Sequence, residues 1–147
     1  MLIDQLTNAG ALPSLELTMR FAAQRQRLIA HNVANLDTPN FEQRGVSPRE
    51  FQRTLDRAVR DRRERTGGMH GELDWAETAE LGKDRSGELV ITGRTPSGGV
   101  LYHDRNNRDL ERLMQALAET TAAFRVASDL YRSQRGMILG AIAERVM

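Results

Sequence analysis

The chain has no cysteine among its 147 residues, which removes disulfide frameworks, thiol nucleophiles and thiolate metal sites at once. That absence suits an oxidising compartment as well as a reducing one and does not choose between them. Lysine is nearly missing too: of 21 basic residues, 20 are arginine, and Lys83 stands alone. Large aromatics are few, with four phenylalanines and one tryptophan beside two tyrosines. The apolar fraction is 39%, below the roughly 45–50% of an ordinary domain, so a thick core is not expected. No apolar run approaches the roughly 18 residues needed to span a bilayer. The opening MLIDQLTNAG lacks the basic start and long apolar stretch of a cleaved signal. Export, if it occurs, therefore needs another route, and no direct membrane insertion is expected. A surplus of one charge is also lacking: 21 bases face 20 acids, for a net +1. That balance argues against a dedicated nucleic-acid binder, which carries a basic excess in clustered patches.

What is present is helical periodicity at both ends. Leu12, Leu15, Met19, Ala22, Gln26, Ile29, Val33 and Leu36 repeat at spacings of three and four, with Gln26 the only polar member. Such a row is a coiled-coil-type seam. Leu17, Phe21 and Leu28 fall on nearly the opposite side of the same helix, so it carries two apolar stripes. One can pack within the subunit, and the other, Leu17, Phe21 and Leu28, asks for a partner and is expected to be an interface stripe. Near the C-terminus Leu110, Leu117, Phe124, Tyr131 and Ile138 recur at sevens, while Leu113, Thr120, Ala127, Gln134 and Ala141 fill the companion row. The second seam is therefore large on one row and mostly small or polar on the other. From Arg105 to Val146 there is no proline, and a continuous helix there would be about 60 Å long.

The middle is less apolar. Residues 48–65 predict a short helix with Pro48 in its first turn, Ser47 as N-cap, and Phe51, Leu55 and Val59 at spacings of four. It holds seven arginines against four acids, while residues 72–88 hold six acids against two bases. Pairing of these two stretches, within the chain or between neighbours, is the simplest use of the asymmetry. ELVIT (88–92) and GVLYH (99–103) flank the turn-rich GRTPSG and predict a small β-hairpin. Gly67, Gly68 and Gly71 mark a flexible junction.

Catalytic patterns are not found. His31, His70 and His103 are far apart and show no paired-ligand spacing. His70-Gly71-Glu72 matches the H-x-E of zinc deaminases, but the cysteines that complete that site are missing. Neither GGMHG nor TPSGG fits a phosphate loop, and no serine sits in G-x-S-x-G. No enzyme, metal or cofactor is implied.

RQRLIAHNVANLDTPNF, ending at Phe41, resembles the N-terminal signature of bacterial flagellar rod and hook proteins, roughly N-I-A-N followed by T-x-G-Y or T-P-G-Y. Asn32, Ala34, Asn35, Asp37, Thr38, Pro39 and Phe41 carry the match here. A second match precedes the C-terminal helix, where DRNNRDLERLM (104–114), with Asn106 and Leu110, resembles the family's D-G-N-x-V-D-L-E-x-E-M. Asn40 and Phe41 stand for the usual Gly and Tyr; Arg105, Arg108 and Leu113 for a Gly, a Val and an acid. The Thr-Pro form and short chain are most similar to the proximal-rod members. The alternatives are another rod protein of that class (FlgC-like) or a helical adaptor of chaperone type.

The turn chemistry explains why such a signature ends a helix. Pro39 pushes Thr38 out of the helical region. Asn32, Asn35 and Asp37 can bond the nearby main chain, and Asn40 tolerates left-handed backbone angles. Phe41 folding back over apolar surface would contribute about 2 kcal/mol. The resemblance implies a mainly α fold in which residues 12–36 and 105–147 pair as an antiparallel coiled coil. Residues 37–104 would form the signature turn and a small variable middle with a short helix and a β-hairpin. Residues 1–11 would be a flexible export segment, with Leu2, Ile3 and Leu6 as short apolar anchors. The implied partners are the chain itself, the rod proteins FlgC, FlgF, FlgG and FliE, and the flagellar type III export apparatus. The implied place is the basal-body rod across the periplasm.

Overall fold

A computed structural model describes residues 8–95 and 110–145. Helix α1 runs Leu12–Ala34, α2 Pro48–Thr66 and α3 Leu110–Arg145, with strands β1 Leu81–Lys83 and β2 Leu89–Ile91 between α2 and α3. The first helix thus stops two residues short of Leu36. GVLYH, Asn106, Arg105, His103, Leu2, Ile3 and Leu6 lie outside the described residues.

Both short-helix ends obey local chemistry. The Ser47 hydroxyl accepts from the Glu50 amide at 3.3 Å, and Pro48 follows where its missing N–H costs nothing. At the other end Gly67 takes φ 72° and donates to the Arg63 carbonyl at 2.9 Å, a left-handed cap that a side chain would strain.

The two long helices pack along the seams read from the sequence. On α1 Leu12, Ala22 and Ile29 are buried; on α3 the buried residues are Leu113, Thr120 and Ala127. These α3 residues belong to the mostly small row, because small side chains let the helix backbones approach while Leu117, Phe124 and Tyr131 sit half-buried beside them. Polar groups on and beside the seam bond across the two helices. Gln26 donates to Thr121 Oγ1 at 3.2 Å and Arg25 to Thr120 Oγ1 at 2.6 Å.

The opposite stripe of α1 is also covered, by the middle of the same chain. Leu17 and Phe21 join Val46, Phe51, Ala58, Trp75, Leu81 and Leu89 in one buried cluster, with Leu28 packed against it. Phe21 and Phe51 stack with centroids 4.0 Å apart and planes 5° from parallel. The sequence assigned this stripe to another subunit. The structure corrects that: α2 and the hairpin supply the apolar cover, a role the wheel pattern alone could not allot.

The hairpin also differs from expectation. A strand does form within ELVIT, but it pairs upstream, with Leu81 opposite Ile91 and Lys83 opposite Leu89. Its turn is built on Asp84, whose Oδ1 accepts from the Ser86 and Glu88 amides at 2.8 and 2.9 Å, with Gly87 at φ 80°. The chain then crosses the segment before α2, where Gly45 and Arg94 exchange two backbone bonds of 2.8 Å. Next to this crossing a Cβ on Gly93 would lie 2.9 Å from Arg44 Cβ and 3.2 Å from a Leu28 methyl. Gly93→Ala is expected to cost about 1–3 kcal/mol in urea unfolding.

Candidate assembly surface

The signature turn is a clamp as well as a helix stop. Asn32, buried in the last full turn of α1, donates from Nδ2 to the Arg44 carbonyl at 2.6 Å and accepts from the Arg44 amide at 3.1 Å. One side-chain amide thereby takes both backbone groups of a residue twelve positions later and fixes the returning chain against the helix. Asn35 is the C-cap, its backbone and Nδ2 both donating to the His31 carbonyl at 3.2 and 2.8 Å. Thr38 N donates to Asn35 O at 3.0 Å, Phe41 N to Thr38 O at 3.2 Å, and Asn40 holds φ 59°. The glycine of the family pattern is thus replaced by a residue that keeps its backbone geometry. Half-buried Phe41 meets the edge of His31 at 5.5 Å. Ala34, Asp37, Thr38 and Pro39 are exposed around the turn.

A second amide acts in the same way and was not singled out from sequence. Gln24 Oε1 accepts from the Ile91 amide at 3.0 Å, and its Nε2 donates to the Leu89 carbonyl, so it grips the edge of β2. At 100° per residue Gln24, Leu17, Leu28, Phe21 and Asn32 occupy one arc of about 80° on α1. Apolar contact in the centre and amide grips at the sides together bind the middle segment to the helix. The available signal was an amide at each edge of an apolar stripe, at spacings of four from Leu28.

Electrostatics complete the attachment. Arg62 is buried, donating to the carbonyls of Gly10, at 2.7 Å, and Asn8, while its Nε is unpaired among the described residues. Burial lowers the pKa of Arg62. Gly10 N also donates to the Met69 carbonyl at 2.9 Å, so residues 8–11 of the expected flexible segment are tied to the end of α2. Burial lowers the pKa of Arg25 as well, with Glu119 opposing the shift. Asp74 is held below the usual carboxylate range chiefly by its hydrogen bond to Lys83, whose Nζ sits 2.9 Å away and over the Trp75 ring.

The remaining large apolar surface is on α3. Val126, Leu130 and Met137 are 58%, 51% and 61% exposed and form one row at spacings of four and seven, with Leu139 and Ile142 exposed beside the end. Leu110, from the second signature, is 43% exposed at the helix start. Among the described residues no group of three His, Cys, Asp or Glu side chains could hold a metal, and no helix is long and apolar enough to cross a membrane.

No protein-family model matches the chain. Curated relatives do. It is 30% identical over 111 residues to the flagellar basal body rod protein FlgB of Bacillus subtilis (strain 168), covering 76% of each chain. The chain belongs to the FlgB family of flagellar basal body rod proteins. FlgB of Salmonella typhimurium is 28% identical over 138 residues, covering 93% of this chain and 95% of that one. FlgB of Yersinia ruckeri is 25% identical over 138 residues, covering 93% and 96%. For a FlgB-family member, a surface made of helix rows and a braced turn, rather than a cleft with reactive groups, is the feature to account for.

Proposed function

We propose that the chain is a self-assembling structural subunit of the proximal part of the flagellar rod, with no catalytic role. In this reading α1 and α3 form an antiparallel coiled coil. Supporting it, Gly10 lies against Gln134 near one end and Arg25 against Thr120 further along, so contacts descend along α3 as they ascend along α1. The carrying observation is the exposed row Val126, Leu130 and Met137. Both flanks of α1 are occupied by the chain itself, whereas among the described residues one α3 flank is not, and exposed apolar rows of this kind mark association sites. Neighbouring copies, or the rod proteins FlgC, FlgF, FlgG and FliE, would cover it. Export through the flagellar type III apparatus, aided by residues 1–11, would bring the subunit to the periplasm. The signature residues Asn32, Asn35, Thr38, Pro39, Phe41, Asn106 and Leu110 would set the direction in which the middle segment leaves the helical pair.

Leu130→Glu combined with Met137→Glu tests this. The purified variant should keep its helical circular dichroism and unfold within about 0.5 kcal/mol of the parent, because the substituted side chains lie on the surface. Cells carrying it should be non-motile and should lack the chain in isolated basal bodies. Normal motility with the double variant incorporated would end this reading.

A further inference from the structure

Helix α2 carries seven arginines and four acids. It buries Phe51, Ala58 and Arg62, and at 100° per residue Arg49, Arg53, Arg57 and Arg60 lie on the far side, along about 17 Å of helix. All four are exposed, and none makes an ion pair among the described residues. The acidic stretch 72–88 does not neutralise them. Its paired members go elsewhere: Asp74 to Lys83, Glu88 to Arg20, and Glu80 to the Ser47 amide at 2.7 Å. Glu72 and Glu77 are exposed and likewise make no ion pair, and the Asp74 side chain is 70% exposed. One chain therefore carries two complementary patches that its own fold leaves largely unjoined.

We infer that the arginine row of one copy docks on the acidic stretch of a second copy, with Glu72, Asp74 and Glu77 foremost. The inference rests on the rod reading and deepens it by naming a subunit contact. The two patches differ, so the contact is head-to-tail, and repetition of such a contact gives an open filament rather than a closed pair. A two-fold contact through the arginine row would instead set arginine against arginine. The guanidinium fork suits carboxylates. Exposed pairs of this kind are individually weak, so the contact is strong only where other interfaces hold the copies together. Asp56 and Glu64 interrupt the row, which favours a mixed protein surface over a uniform polyanion.

Because the chain has no cysteine, single thiols report the geometry cleanly. A copy carrying Asp56→Cys is mixed with a differently tagged copy carrying Ala76→Cys, each full length, at high concentration under mild oxidation. Random pairing of equal amounts already gives about twice as much heterodimer as either homodimer; the disulfide-linked heterodimer should exceed either homodimer by about tenfold, and that excess should fall when salt rises from about 0.05 to 0.5 M. Arg53→Glu with Arg60→Glu in the first copy should abolish the excess, and Glu72→Arg with Glu77→Arg in the second should restore it. A heterodimer no more than about twice either homodimer, insensitivity to salt, or failure of the reversed pair to restore the excess would each overturn the inference. Basal bodies that contain the wild-type chain while the heterodimer fails to form would refute this contact and leave the rod reading standing. Heterodimers from a chain absent from basal bodies would do the opposite.

Discussion

Replacing Phe21 by alanine is expected to remove about 3–5 kcal/mol of stability and to lower the thermal midpoint by about 10 °C. Phe21 stacks on Phe51 at 4.0 Å in a cluster that includes Trp75, Leu81 and Leu89. Deleting its ring leaves a cavity bounded by α1, α2 and the hairpin, three elements whose positions are fixed by other bonds and which cannot all collapse inward. A domain of this size is stable by about 5–15 kcal/mol, so the loss is a large fraction of the total. Urea unfolding of the purified chain measures it. Leu130→Ala is the control: with Leu130 51% exposed, its loss should stay within about 0.5 kcal/mol. If Phe21 were waiting for a neighbouring subunit, the two substitutions would have similar small effects.

The contrast shows what periodicity can and cannot specify. Rows at spacings of three and four located α1 and rows at sevens located α3, and their polar members Gln26 and Thr120 each bond across the helix pair, to Thr121 and from Arg25. Ser47, Pro48 and Gly67 bounded α2 through chemistry confined to a few residues. A stripe of apolar residues states only that cover is required. Leu17, Phe21 and Leu28 gave no indication whether the cover comes from another chain or from residues 46–91 of the same one. β1 left almost no trace, since LGK is three residues with a glycine in its centre, too short for alternation to be visible. The Arg62 bonds to Asn8 and Gly10 were equally hidden, because within a helix of seven arginines nothing marks the one that turns inward.

These corrections change the physical basis of the proposed assembly without changing its direction. Helix α1 is fully occupied, one flank by α3 and the other by the chain's middle, and so acts as the internal frame. Among the described residues helix α3 has a single occupied flank. In the proposed assembly the surface offered to neighbours therefore combines an apolar row on α3 with charged patches on the middle segment, and the rigidity of the attachment between them determines how far apart those patches sit.

That attachment makes Asn32 the second position of large expected effect. Asn32→Ala should cost about 2–3 kcal/mol, because it deprives both the amide and the carbonyl of Arg44 of their partner in a part-buried site. Asn32→Asp should not rescue it. A carboxylate can still accept from the Arg44 amide, but it cannot donate to the carbonyl, and it places a buried charge against that oxygen. Asn35→Ala, by contrast, removes an exposed bond to the His31 carbonyl and should cost about 0.5–1 kcal/mol. Urea unfolding ranks the three, and amide exchange at Arg44 reports the clamp directly, with protection lost in Asn32→Ala and retained in Asn35→Ala. Equal costs at positions 32 and 35 would mean that the signature only terminates a helix. A larger cost at 32 means that it also fixes where the chain goes next, which is what the proposed assembly needs if the patches are to meet their counterparts in every copy.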